Sequence, residues 1–164
     1  MFDNHLRFAW HVKGLLAGSA QPGRFHTFKY DLEEIRKKGI EAIVSLDGDL
    51  KAIPPEFSED LSFYSEPVPD GFPPTEEQMK RIIKIVKAET RKKNAVLVCC
   101  LGGIGRTATV LAVLMMELCK KGMEEALEEL GRVGRIPESM EQRAFISRWS
   151  RRRLKRRKLI LHRQ

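Results

Sequence analysis

The stretch Ala95-Val96-Leu97-Val98-Cys99-Cys100-Leu101-Gly102-Gly103-Ile104-Gly105-Arg106-Thr107 constrains this chain more than any other. Six almost wholly apolar residues run into a three-glycine connection. From Thr107 to Leu118 the chain resumes with Val110, Leu111, Val113 and Leu114 at helical spacing. An apolar run without polar alternation predicts a strand buried on both faces, as in parallel sheets covered by helices. A strand feeding a helix through a short loop is half of a βαβ unit, so the expectation is an α/β domain.

The rest of the chain agrees with that expectation. Leu6 to Val12 sets Phe8, Trp10 and Val12 on one period-2 face, suiting a sheet edge, and GLLAGSAQPG reads as a short strand or turn with a glycine-loosened loop. Tyr30 to Lys38 has a helical mixture closed by Gly39, and IEAIVSL follows as a second buried strand. Residues 47–60 read as a polar loop with one irregular turn, LSFYSEPVP as strand-like, and DGFPP as a loop. Thr75-Glu76-Glu77-Gln78 predicts a capped helix to about Arg91. MEEALEELGRVG reads as a short amphipathic helix, and Ser139-Met140-Glu141-Gln142 opens a final one carrying Phe145, Ile146 and Trp149. The fold class expected is α/β, a central mostly parallel sheet flanked by helices on both faces.

At 164 residues the chain has room for one domain with a substantial core. The longest mainly apolar stretch, Ala108 to Met116, ends at Glu117, short of the roughly 18 residues a membrane span needs. The opening MFDNHLRFAWHVKG lacks the basic and apolar regions of a secretory signal, so a cytoplasmic location is expected. The formal charge of +8 invites a nucleic-acid reading, but it is unevenly placed. Residues 1–142 sum to −2, whereas residues 143–164 carry ten basic side chains and no acidic one. The division expected is a catalytic domain over residues 1–149 and a basic extension over 150–164, continuing the last helix or disordered.

The glycine connection carries chemistry of its own. Successive backbone N–H groups turned inward make an anion nest, the following helix N-terminus adds partial positive charge, and Arg106 offers a planar fork to two oxygens. The same environment favours a thiolate at Cys100, which can be both nucleophilic and aimed at bound phosphorus. The glycines spell neither a Walker A loop nor a dinucleotide fingerprint, which argues against ATP or NAD. Asp47 and Asp49 read as strand-end and turn residues, and His5, His11, His26 and His162 are too scattered to form a motif. No metal site is expected.

The C-x5-R-T sequence from Cys100 to Thr107, with PVPDG upstream, resembles the cysteine-dependent protein tyrosine phosphatases. Within them it is most similar to the compact dual-specificity branch with its small archaeal members. AGSAQP, IVSL, PVPDGFPPTEEQ and ESMEQRAF fall in the family's order, so the resemblance covers roughly residues 10–149. It implies that Cys100 is the nucleophile and that the N–H groups of Leu101, Gly102, Gly103, Ile104, Gly105 and Arg106, with the Arg106 guanidinium, hold phosphate oxygens. It further implies that Asp70 is the general acid and later base, that Thr107 hydrogen-bonds the thiolate, and that Gln142 helps to place water. No cofactor is implied. The expected substrates are phosphoproteins bearing phosphotyrosine and also phosphoserine or phosphothreonine, hydrolysed through a phosphocysteine.

In one place the chain departs from the family: Cys99 stands where a histidine usually precedes the nucleophile. Cys99 itself is out of phase for the role, since neighbouring strand residues point to opposite sides and it would leave C-x6-R. Cys119, far along the helix, reads as filler. Two alternatives stand beside the protein phosphatase. The first is an RNA 5′-phosphatase or triphosphatase that uses the same loop, with the basic extension holding RNA or another polyanion; that extension also suits an anionic membrane or a solvated end. The second is an inactive phosphate-recognition module, against which the intact Cys100, Arg106 and Asp70 argue.

Overall fold

A computed structural model describes residues 6–163; His5 lies outside them. Strand β1 (Ala9–Val12) and β2 (Leu16–Ala20) form an antiparallel pair, and helix α1 (Phe28–Lys37) leads to β3 (Ile40–Ser45). A 3-10 turn at Pro55–Phe57 precedes β4 (Ser62–Ser65), followed by α2 (Glu76–Arg91), β5 (Ala95–Cys100), α3 (Gly105–Leu118), α4 (Met123–Gly131) and α5 (Met140–Leu161). The sheet order is β1-β2-β5-β3-β4, with β2, β5, β3 and β4 mutually parallel. Strand β5 is therefore central, as its unbroken apolar run requires.

The two faces of β5 enter different cores. Val96, Val98 and Cys100 join Met79, Ile82, Val110, Leu114, Phe145 and Trp149 beneath α2 to α5. Ala95, Leu97 and Cys99 join Leu32, Ile35, Ile43 and Phe57 beneath α1. Each fully buried Val or Leu contributes about 1.5–3 kcal/mol relative to exposure, so the register of β5 is held from both sides. That register sends Cys99 and Cys100 into opposite layers.

The helix starts follow their caps. Thr27, Thr75 and Ser139 accept the N–H of the residue three positions on, and Ser139 with Gln142 closes a full capping box. Helix α1 starts two residues before the predicted Tyr30 because Thr27 caps it. The segment read as a short strand or turn forms an interior strand, β2, buried along its length between β1 and β5, so Gly18 lies within the strand and not in a flexible loop. Gly18 serves there by its lack of a side chain: a Cβ would lie 2.6 Å from Arg135 Nη1. Helix α5 continues through the basic stretch to Leu161. Arg152 pairs with Glu76, and Arg156 pairs with Glu117 at 3.1 Å. Among the described residues no helix is long and apolar enough to cross a membrane.

Candidate active site

Parallel strands deliver their C-terminal ends to one edge of a sheet, which is where ligand sites of open α/β folds lie. Three segments meet there: residues 100–106 after β5, Leu46–Asp47 after β3, and Val68–Asp70 beyond β4. Backbone bonds knit them together, Leu46 N donating to Cys99 O at 2.7 Å and Val68 N to Leu46 O at 2.9 Å. A cavity of about 220 Å³ opens above the loop, lined by Arg7, Arg24, Asp70, Cys100, Arg106 and Glu138.

Cys100 sits at the floor of this cavity, and Thr107 Oγ1 donates to its Sγ at 3.0 Å. The thiol thus has a hydrogen-bond donor from the first turn of α3. Gly103 makes the loop's turn at φ +70°, and a Cβ there would collide with the backbone of Ser19 and Ala20. Only glycine meets both demands. Arg106 is 6% exposed. Its Nη1 donates to Val68 O at 2.9 Å and Leu46 O at 3.3 Å, and its Nη2 faces Asp47 Oδ2 and Asp70 Oδ1, each at 3.4 Å. Its buried Nε has no hydrogen-bond partner among the described residues. A buried donor without an acceptor is costly, and an anion oxygen would satisfy it.

Asp70 is the exposed member of the set, its side chain 87% accessible at the cavity mouth. Its loop is tied to the start of α5: Ser139 Oγ donates to Gly71 O at 2.6 Å, and Gln142 Nε2 to Phe72 O at 3.4 Å. Gln142 is fully buried, and its Oε1 accepts the N–H groups of Glu138 and Ser139. The contacts described thus occupy Gln142 in capping α5 and in holding the loop that carries Asp70.

Two residues matter here that the sequence did not single out. Asp47, read as a strand-end residue, is buried against Arg106 and fixes the guanidinium from behind while accepting Asp49 N–H at 2.9 Å. Its position immediately past a buried parallel strand is the signal that marks it. Arg135 is fully buried, its Nε donating to Gly103 O at 2.7 Å, its Nη2 to Arg7 O at 2.6 Å, and its Nη1 meeting His11 Nε2. Burial draws Arg135 down to about 10, which keeps it charged at neutral pH, and negative charge on Cys100 favours that charge. Cys99 lies in the opposite core, where burial pushes its thiol up to about 12. Cys119 ends α3, partly buried, with its thiol also raised by burial.

Comparison with known proteins gives concordant findings. Residues 17–120 match the family model described as a polymorphic toxin system DSP-PTPase phosphatase. An uncharacterized protein of Methanocaldococcus jannaschii is 47% identical over 47 residues, which span 29% of this chain and 30% of that protein. The crystal structure of Tk-PTP in its active form superposes with a TM-score of 0.76 at 26% identity, covering 88% of this chain and 97% of the other. A variant of human DUSP28 shares the fold at 13% identity, with a TM-score of 0.75 over 91% of this chain and 97% of that one. A family match over more than half of the chain, on a mostly parallel five-stranded sheet carrying C-x5-R at the end of its central strand, places the protein in the DSP-PTPase family of cysteine-based phosphatases.

Proposed function

We propose that the protein is a protein phosphatase that hydrolyses phosphotyrosine, and also phosphoserine or phosphothreonine, through a phosphocysteine at Cys100. The observation that carries this reading is the buried, unpartnered Nε of Arg106 in the cavity floored by Cys100. A phosphate there accepts from Arg106 and from the N–H groups of Leu101 to Arg106, donors whose hold strengthens as charge spreads over the equatorial oxygens.

In the first step the Cys100 sulfur lone pair forms an S–P bond as the P–O bond to the leaving group breaks. Asp70 gives its proton to the departing oxygen. In the second, water attacks phosphorus, its proton passes to the Asp70 carboxylate, and the S–P pair returns to sulfur, where Thr107 Oγ1 receives the developing thiolate. Asp47 acts at one remove, by holding Arg106. Gln142 acts through the loop that carries Asp70, and the water-placing role is assigned to it only through that position.

The test is to incubate wild-type, C100S and C99S proteins with a phosphotyrosine peptide carrying radiolabelled phosphate, quench in acid and follow the label. Label is expected on wild type and C99S and absent from C100S. Turnover by C100S, or label that disappears with C99S, overturns the assignment.

A second reading, an RNA 5′-phosphatase, draws on the seven cationic side chains between Arg151 and Lys158. It predicts salt-dependent RNA binding with a slope set by the number of phosphates contacted. Hydrolysis of 5′-triphosphorylated RNA faster than of phosphopeptide would favour it.

A further inference from the structure

The cavity above Cys100 is asymmetric in charge. Asp70 and Glu138 reach it from the loop after β4 and from the approach to α5. Arg7 and Arg24 reach it from the segments before β1 and after β2. Of the two acids, Asp70 faces Arg106 at 3.4 Å, while the Glu138 carboxylate lies over Gly105, in the space a Cβ there would need. Neither arginine has an ion-pair partner among the described residues.

Arg7 is held in a fixed position. It adopts φ +54°, a conformation disfavoured for a residue with a side chain, and Arg135 Nη2 holds its carbonyl. Its Nη1 donates to Gly102 O at 2.9 Å, and its guanidinium carbon lies 5.3 Å from the centre of the Phe25 ring. Arg24 stacks on the same ring at 5.4 Å. Phe25 is itself 43% exposed, a large apolar side chain whose visible work is to brace two cations. Holding both guanidinium groups against one ring removes part of the rotamer entropy that an arginine loses on capturing an anion.

We propose that Arg7 and Arg24, braced by Phe25, form a second anion subsite at the mouth of the cavity. Its ligand is a carboxylate or second phosphate beside the scissile one, on an acidic phosphopeptide. The proposal rests on the phosphatase reading of Cys100 and adds to it the substrate's charge pattern. Two features favour peptide over nucleic acid. Both guanidinium groups lie against the Phe25 ring, where they compete with a base for its faces. The two arginines also lie at the mouth of one small cavity, and do not form a stripe along which a strand would track.

The test uses the full chain and two phosphotyrosine peptides, one flanked by aspartates and one by asparagines at the same positions. Affinities are measured with C100S, and kcat/KM with the wild-type nucleophile. C100S should bind the acidic peptide about fivefold or more tighter, the scale of one or two partly exposed charge contacts. R24Q should erase most of that preference, and R24K should retain it in part. Equal affinity of C100S for the two peptides overturns the subsite even if wild type turns both over. A preference in C100S that R24Q abolishes, with no turnover by wild type, supports the subsite and instead overturns the phosphatase reading. Tighter binding of a 5′-triphosphorylated oligonucleotide than of the acidic peptide, lost in R24Q, overturns the choice of peptide.

Discussion

Arg135 Nε donates to the Gly103 carbonyl at 2.7 Å from a position with no solvent exposure, so a buried guanidinium supports the underside of the glycine loop. Its other nitrogens hold Arg7 O and His11 Nε2, joining the loop to the segment before β1 and to β1 itself. Arg135→Met would leave the Gly103 and Arg7 carbonyls without this donor, at roughly 1–3 kcal/mol each. The expected outcome is a Tm lower by about 5–15 °C. Slower alkylation of Cys100 by iodoacetamide should accompany it, measured at a temperature where the variant remains folded. R135K keeps the charge but cannot make three divergent contacts, so it should fall between the two. Unchanged alkylation in folded R135M would show that Arg135 does not shape the loop.

Gly103→Ala tests the loop more directly. The substitution places a Cβ against the backbone of Ser19 and Ala20 at φ +70°, so the loop must move or β2 must yield. Both routes misdirect the N–H groups proposed to hold phosphate. Loss of one such preorganised donor costs about 10²–10³ in kcat. Turnover of p-nitrophenyl phosphate within about threefold of wild type would mean that the loop is not set by this glycine.

The acid loop makes a prediction graded by leaving group. Ser139 Oγ ties Gly71 O and also caps α5, so Ser139→Ala removes one of the two tethers of the Asp70 loop while costing about 1 kcal/mol of stability. Asp70→Asn should depress kcat/KM by about 10²-fold or more for an alkyl phosphate with a poor leaving group, and much less for p-nitrophenyl phosphate. S139A should show the same ordering on a smaller scale. Equal losses on both substrates in D70N would remove Asp70 from general acid catalysis.

What was legible in the sequence was local. The buried strand, the C-x5-R spacing and the Thr75 and Ser139 caps each lie within a few consecutive residues, and each formed as its pattern required. What was missed is assembled across the chain. Arg135 meets Gly103 across 32 residues and Arg7 across 128, and in GRVGRIP it reads like any solvated loop cation. Asp47 meets Arg106 across 59 residues, and LDGDL alone spells only a turn. Gly18 reads as loop flexibility until Arg135 is packed against it. Long-range partners of charged residues leave no periodic trace, because periodicity records which face is buried and not what the face touches.

The two adjacent cysteines should separate cleanly by reactivity. Cys99 is buried beneath α1 with its thiol pushed up to about 12, whereas Cys100 opens to the cavity. Brief iodoacetamide treatment of the native protein at pH 7.5, followed by peptide mass mapping, should label Cys100 and leave Cys99 unmodified until the protein is denatured. Inorganic phosphate or vanadate should protect Cys100. Comparable labelling of Cys99 in the native state would contradict the register of β5.

His11 supplies a pH signature. Arg135 is a donor only, so its Nη1 requires an unprotonated His11 Nε2, and burial followed by the Arg135 charge lowers the imidazole to about 3. Unfolded, the same imidazole protonates near 6.5. Above that value both states are neutral at this site and its contribution is constant. Between about 6.5 and 3 the unfolded chain binds the proton and the folded one does not, so stability falls as pH falls, by up to ~1.4 kcal/mol per unit at this site. His11→Gln keeps an acceptor for Arg135 but does not titrate. Urea denaturation of both proteins between pH 7 and 4.5 should therefore show a shallower decline in H11Q. Parallel slopes would mean that His11 takes up its proton in the folded state and that its contact with Arg135 gives way to it.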